Sequence, residues 1–194
     1  MSALSQAKTL GGVGAILIIL GAAPGIGAVA SIVGYILILV AIKNISDILE
    51  DKSIFNNMLI ASITAITGII SAAILIFASI FSFVGFSDIT AGYWGQDFMG
   101  SSVEATDIIG LLATIFIGLL LVWIFFIISA IFLKKSYDSM GERLNVNMFK
   151  TSAMINLIGA ASSIILIGFL IIFIAQILQI VAFFSIPDEI PESQ

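Results

Sequence analysis

Few side chains in this sequence could carry chemistry. Histidine and cysteine do not occur. Their absence removes histidine-ligated haem, the usual zinc sites, thiol nucleophiles, iron–sulfur clusters and any serine–histidine pair. Within the apolar stretches the polar candidates are Asn156, Gln176 and Gln179. Gln176 and Gln179 stand three apart, so a helix presents them on one face, where they can bond a solute or a neighbouring helix. No Asp, Glu, Lys or Arg falls between the expected membrane interfaces. That argues against a proton relay, a carboxylate-coupled transporter and an aspartyl intramembrane protease. Gly11-Gly12-Val13-Gly14 follows no strand and is not a nucleotide loop. A second candidate set is Tyr93, Trp94, Asp97 and Phe98, in a stretch from Ser87 to Val103 that has no cation. Acidic and aromatic, it is a candidate outer partner-binding surface. The same aromatics also suit membrane-interface anchors. No catalytic, metal or cofactor residue is expected.

The elements that must position these residues are set by composition. The chain has 194 residues, 60% hydrophobic and 10% charged, with a mean hydropathy of +1.24. A soluble domain is about 45–50% apolar and about 25% charged. There is too little polar surface here to cover a water-soluble globule, so the expected fold is an all-α integral membrane helix bundle in one domain, 1–194. A net charge of −5 does not suit nucleic acid. A helix needs about 20 apolar residues to cross the bilayer. Met58–Phe86, Ile108–Leu133 and Ser152–Ile186 qualify. The first apolar stretch breaks at Pro24 between glycines, predicting a short hairpin of Ser5–Ala22 and Gly27–Asn44, which either spans thinly or re-enters.

Five helices place all seven cations, Lys8, Lys43, Lys52, Lys134, Lys135, Arg143 and Lys150, at one face. With five acids that face carries +2, and the other carries seven acids and no cation. Cytoplasmic loops collect Lys and Arg, so the expected topology is N-inside and C-outside, in the cell membrane. At an offset of 91 residues, Lys43, Asp47, Asp51, Lys52 and Asn56 align with Lys134, Asp138, Glu142, Arg143 and Asn147, and Gly68 with Gly159. This predicts a parallel internal repeat, 36–77 and 127–168. Lys43/Asp47 and Lys134/Asp138 can each meet across one helical turn. The three long helices exceed the bilayer. The surplus, 78–113 and 173–187 with Phe81, Phe83, Phe183 and Phe184, is expected to form a small outer cap, or else to be absorbed by tilt. Gly27, Ser31, Gly34, Gly68 and Gly159 are expected to permit close helix contact.

The runs Leu4-Ser5-Gln6-Ala7-Lys8-Thr9-Leu10-Gly11-Gly12, Pro24-Gly25, and Ile45-Ser46-Asp47 through Asp51-Lys52-Ser53-Ile54-Phe55 resemble an archaeal family of multi-spanning membrane proteins, domain of unknown function 996. The resemblance implies an archaeal source and one whole-chain domain, and it transfers no site residue. The expected function is a non-enzymatic structural or accessory role, by self-association or within a larger membrane complex, with lipid as the surrounding partner. The alternative is a small-solute or lipid transporter.

Overall fold

A computed structural model describes residues 3–21, 23–84 and 105–190, and the described residues contain helices and turns but no strand. The helices are α1 (Ala3–Leu20), α2 (Gly27–Ile48), α3 (Lys52–Val84), α4 (Ala105–Arg143), α5 (Asn147–Ser162) and α6 (Ile167–Phe184). A short 3-10 turn, Ser163–Ile165, joins the last two. All six are long and apolar enough to cross a membrane, α5 when counted with the turn that follows it. At 1.5 Å per residue, α1, α5 and α6 are about 24–27 Å long, whereas α3 and α4 run to about 50 and 58 Å.

The expected all-α bundle of membrane-spanning helices stands, with six such helices among the described residues in place of five. The segment Ser152–Ile186 is not one long span. The chain leaves the helical path at Leu166, whose φ is +60°, and α6 returns along α5. Gly159 and Gly168 make this possible. A Cβ added at Gly159 would lie 3.0 Å from the Gly168 oxygen, and one added at Gly168 would collide with the Gly159 oxygen and the Ser163 backbone. Ser163 Oγ donates to the Ala160 carbonyl, 2.8 Å, and the Leu166 N–H to the Ser163 carbonyl, 3.1 Å.

The fold-back also corrects the expected position of the C-terminal segment. α6 packs on α1, and Asp188 lies 3.9 Å from Lys8. The segment after α6 therefore stands at the same end as the start of α1, not at the opposite one.

Two compact units divide the chain. The first is residues 1–64 with 127–194, and the second is 65–126. In the first, α1 packs on α2 and α6, and α5 on α6. The α1–α2 approach is backbone to backbone, since a Cβ on Gly14 would lie 2.6 Å from the Gly34 oxygen. The core holds Ile38, Ile42, Ile45, Ile54, Met58, Tyr137, Met140, Phe149 and Phe183, all fully buried. Phe183, expected in an outer cap, sits here instead, with its ring centroid 5.2 Å from Phe149 and 6.5 Å from Tyr137. Phe81 belongs to the second unit, stacked on Phe77 at 5.8 Å. The side chain of Phe83 lies outside the described residues. In the second unit the stretches of α3 and α4 within 65–126 meet at glycines, Gly68 against Phe125 and Gly118 against Ile76.

α2 and α4 end alike. Glu50 and Asn145 adopt left-handed φ of 53° and 54°. The Asp51 and Val146 N–H groups donate to the Ser46 and Gly141 carbonyls, and those of Glu50 and Asn145 to Asp47 and Glu142. This is the six-to-one, five-to-two helix ending. The two turns correspond at an offset of 95, one helical turn from the 91 read from the charges. The motif closes many helices, so it carries no argument for duplication.

Candidate functional site

The charged end is built first by the turns. Asp51, immediately before α3, caps that helix. Its carboxylate accepts from the Ser53 N–H at 3.0 Å and Ser53 Oγ at 2.6 Å, and Arg143 Nη2 approaches its other oxygen at 3.4 Å. The Ser53 hydroxyl bond is the main reason the Asp51 carboxyl titrates below the usual carboxylate range, and Arg143 adds to it against some desolvation. Lys150 pairs with Glu142 at 3.0 Å, and Lys134 with Asp138. Lys134–Asp138 is the expected pair across one turn. Among the described residues no ion pair joins Lys43 to Asp47. Lys135 lies 5.0 Å over the Phe132 ring.

Below this end the first unit holds a buried polar group drawn from four helices. Tyr35 on α2 and the Ser62 hydroxyl on α3 lie 2.7 Å apart, and Ser62 Oγ also donates to the Met58 carbonyl. Tyr137 on α4 is 1% exposed. Its ring is held edge-on by Phe149, 5.5 Å away, and by Phe183. Its hydroxyl faces Gln179 on α6 without a well-formed hydrogen bond to any protein group. Gln179 is 7% exposed. One turn along α6, the buried Oε1 of Gln176 also has no protein partner. Two further hydroxyls join α3 to α4: Ser129 Oγ donates to the Ala61 carbonyl at 2.8 Å, and Ser136 Oγ to that of Ile54 at 2.8 Å.

Of the residues expected from sequence, Gln176 and Gln179 thus belong to a polar group in the core of the first unit. Asn156 is half-buried on α5. Tyr93, Trp94, Asp97 and Phe98 lie outside the described residues. Sequence reasoning missed Tyr35, Ser62 and Tyr137. Tyr137 stands between Lys134 and Asp138 and Glu142 in the sequence, so it reads as part of a solvated loop. One signal was available. Tyr35 and Tyr137 are phenols inside apolar helices, and a buried tyrosine hydroxyl normally finds a partner. No group of three or more Asp or Glu side chains suited to a metal occurs among the described residues.

The chain belongs to the family described as protein of unknown function DUF996, whose profile matches residues 30–177. It is 35% identical over 187 residues to an uncharacterized protein of the archaeon Methanocaldococcus jannaschii, an alignment covering 96% of this chain and 95% of that protein. Family and archaeal relative are those implied by the resemblance, although Leu4–Gly12 and Pro24-Gly25 precede the matched segment. No solved structure matches the chain.

Proposed function

Starting from membership of a family without an assigned activity, we propose that this chain works inside the cell membrane as a non-enzymatic structural or accessory protein. It associates with itself or with a larger membrane complex. The observation that carries this reading is the apolar surface of α4. An 18-residue stretch of that helix has a mean hydropathy of 3.0, yet only 6% of the stretch is buried within the chain. Ile109, Leu112, Phe116, Ile117 and Leu119 all stand exposed there. Lipid, a second copy or a partner helix covers such a surface without any polar cost. The charged end, with the four ion pairs found among the described residues, faces the cytoplasm by the preference of Lys and Arg for that side.

Mass measurement of the protein released from native membranes in mild lipid particles tests this. Multiples of 20.5 kDa, or a defined co-purifying protein, support it. A strictly monomeric species that moves a solute across vesicles overturns it in favour of the second reading, small-solute transport. That reading draws on the unpartnered polar atoms of Tyr137 and Gln176 inside an otherwise apolar core.

A further inference from the structure

We propose that Tyr137, Gln176 and Gln179 form a binding site for one small uncharged hydroxylic molecule, held between α4 and α6. The site goes beyond the proposed structural role and stands whether or not the chain carries a solute. Its parts are complementary to a hydroxyl group. Tyr137 offers an unspent O–H donor in a side chain 1% exposed. Gln176 offers an unspent carbonyl acceptor whose Oε1 is buried. Gln179, 7% exposed and facing the Tyr137 hydroxyl, adds an amide that can donate or accept. Gln176 and Gln179 share one face of α6, and Gln179 faces the phenol, so the proposed molecule extends from the two glutamines to the Tyr137 hydroxyl. It accepts from Tyr137 and donates to Gln176.

Two features fix the chemistry. First, the phenol cannot swing away to find another partner, because Phe149 and Phe183 clamp its ring edge-on at 5.5 and 6.5 Å. Second, the site is made of neutral side chains. A bound ion would sit in apolar surroundings without a counter-charge, whereas a neutral donor–acceptor molecule satisfies both orphans at once. Water is the smallest such molecule and needs two to four polar partners, and a small polyol has the same hydroxyl chemistry.

The test is a double-mutant cycle on the full chain in lipid nanodiscs, read by thermal unfolding. Tyr137→Phe and Gln176→Leu each keep the packing volume. If one molecule bridges the two, each single variant lowers Tm by about 2–4 °C. The double variant then falls no further than the worse single, because the molecule is lost once. Singles that leave Tm unchanged or raise it overturn the proposal, since removing a truly orphaned polar atom from an apolar interior is neutral or stabilising. Additive losses overturn it too. Glycerol, titrated as a probe, distinguishes the sources. A saturable rise in Tm for wild type that Tyr137→Phe lacks identifies a polyol. An equal, non-saturating rise in both, with the non-additive cycle intact, identifies water.

Discussion

At the scale of single residues, the charged end owes most to backbone chemistry and least to its ion pairs. Lys8–Asp188 joins groups that are 29% and 75% exposed at 3.9 Å, and exposed pairs of this kind contribute about 0–1 kcal/mol. The Asp51 cap is a stronger contact. Asp51→Ala should cost about 0.5–2 kcal/mol by loss of the bonds to Ser53, measurable by thermal unfolding in lipid. The pH dependence follows from the direction of the shift. The folded carboxyl titrates below its unfolded value, so its contribution is fully present above about pH 5, a unit above the unfolded value. It disappears as pH falls through the depressed folded value. The gap between wild type and Asp51→Ala should hold constant from pH 8 to pH 5 and close only in stronger acid. A gap that closes between pH 7 and 5 would assign the effect to another group. The two left-handed residues should differ in their response to glycine. Glutamate has no affinity for that conformation, which costs an L-residue about 1–2 kcal/mol. Glu50→Gly should therefore raise stability by about 1 kcal/mol. Asn145→Gly should change little, because asparagine already tolerates φ of 54°.

At the scale of elements, the hairpins α1–α2 and α5–α6 rest on backbone contacts that any side chain would block. Gly14 meets Gly34 in one and Gly159 meets Gly168 in the other. Gly168→Ala forces its new methyl into the Gly159 oxygen and the Ser163 backbone, neither of which can move aside alone. It should cost about 1–3 kcal/mol, the usual range for overpacking. Gly110 on α4 is the control, because a Cβ there meets nothing within 4 Å. Gly110→Ala should be neutral or stabilise by up to about 1 kcal/mol, from helix propensity. Unfolding midpoints of the two variants, compared in the same lipid, decide the matter. Equal losses would remove the hairpin contact as the cause.

At the scale of the whole molecule, the fold-back of α6 determines topology. The segment after α6 meets the start of α1 at Lys8, and six crossings, one for each helix long enough to span, would bring the chain back to the side it left. The chain has no cysteine, which makes site-directed labelling clean. Lys52→Cys and Glu189→Cys should both resist an impermeant maleimide in intact cells and both react after permeabilisation. If Glu189→Cys labels in intact cells while Lys52→Cys does not, α5 and α6 form one crossing and the C-outside arrangement holds after all.

Composition and charge placement alone established a helical bundle with apolar spans, the broken first hairpin at Pro24, and the gathering of cations at one end. These are additive properties of segments, summed residue by residue, and need no partner to be read. The close-contact role of Gly34, Gly68 and Gly159 was legible too, as was that of Gly27 and Ser31, which both pack on Gly21, because a small residue in a bulky apolar helix has few other uses. The turn at Leu166 was not legible. Ser162-Ser163-Ile164-Ile165-Leu166 contains neither proline nor glycine, and local propensity favours continuing the helix. What bends the chain is packing between Gly159 and Gly168, and the docking of Phe183 on Phe149 and Tyr137, contacts that exist only once α6 has folded back. The polar group had the same fate. Gln176 and Gln179 could be named from their spacing, but Tyr35, Ser62 and Tyr137 are 27 to 102 residues apart in the chain. Only the convergence of α2, α3, α4 and α6 turns scattered hydroxyls and amides into one buried group.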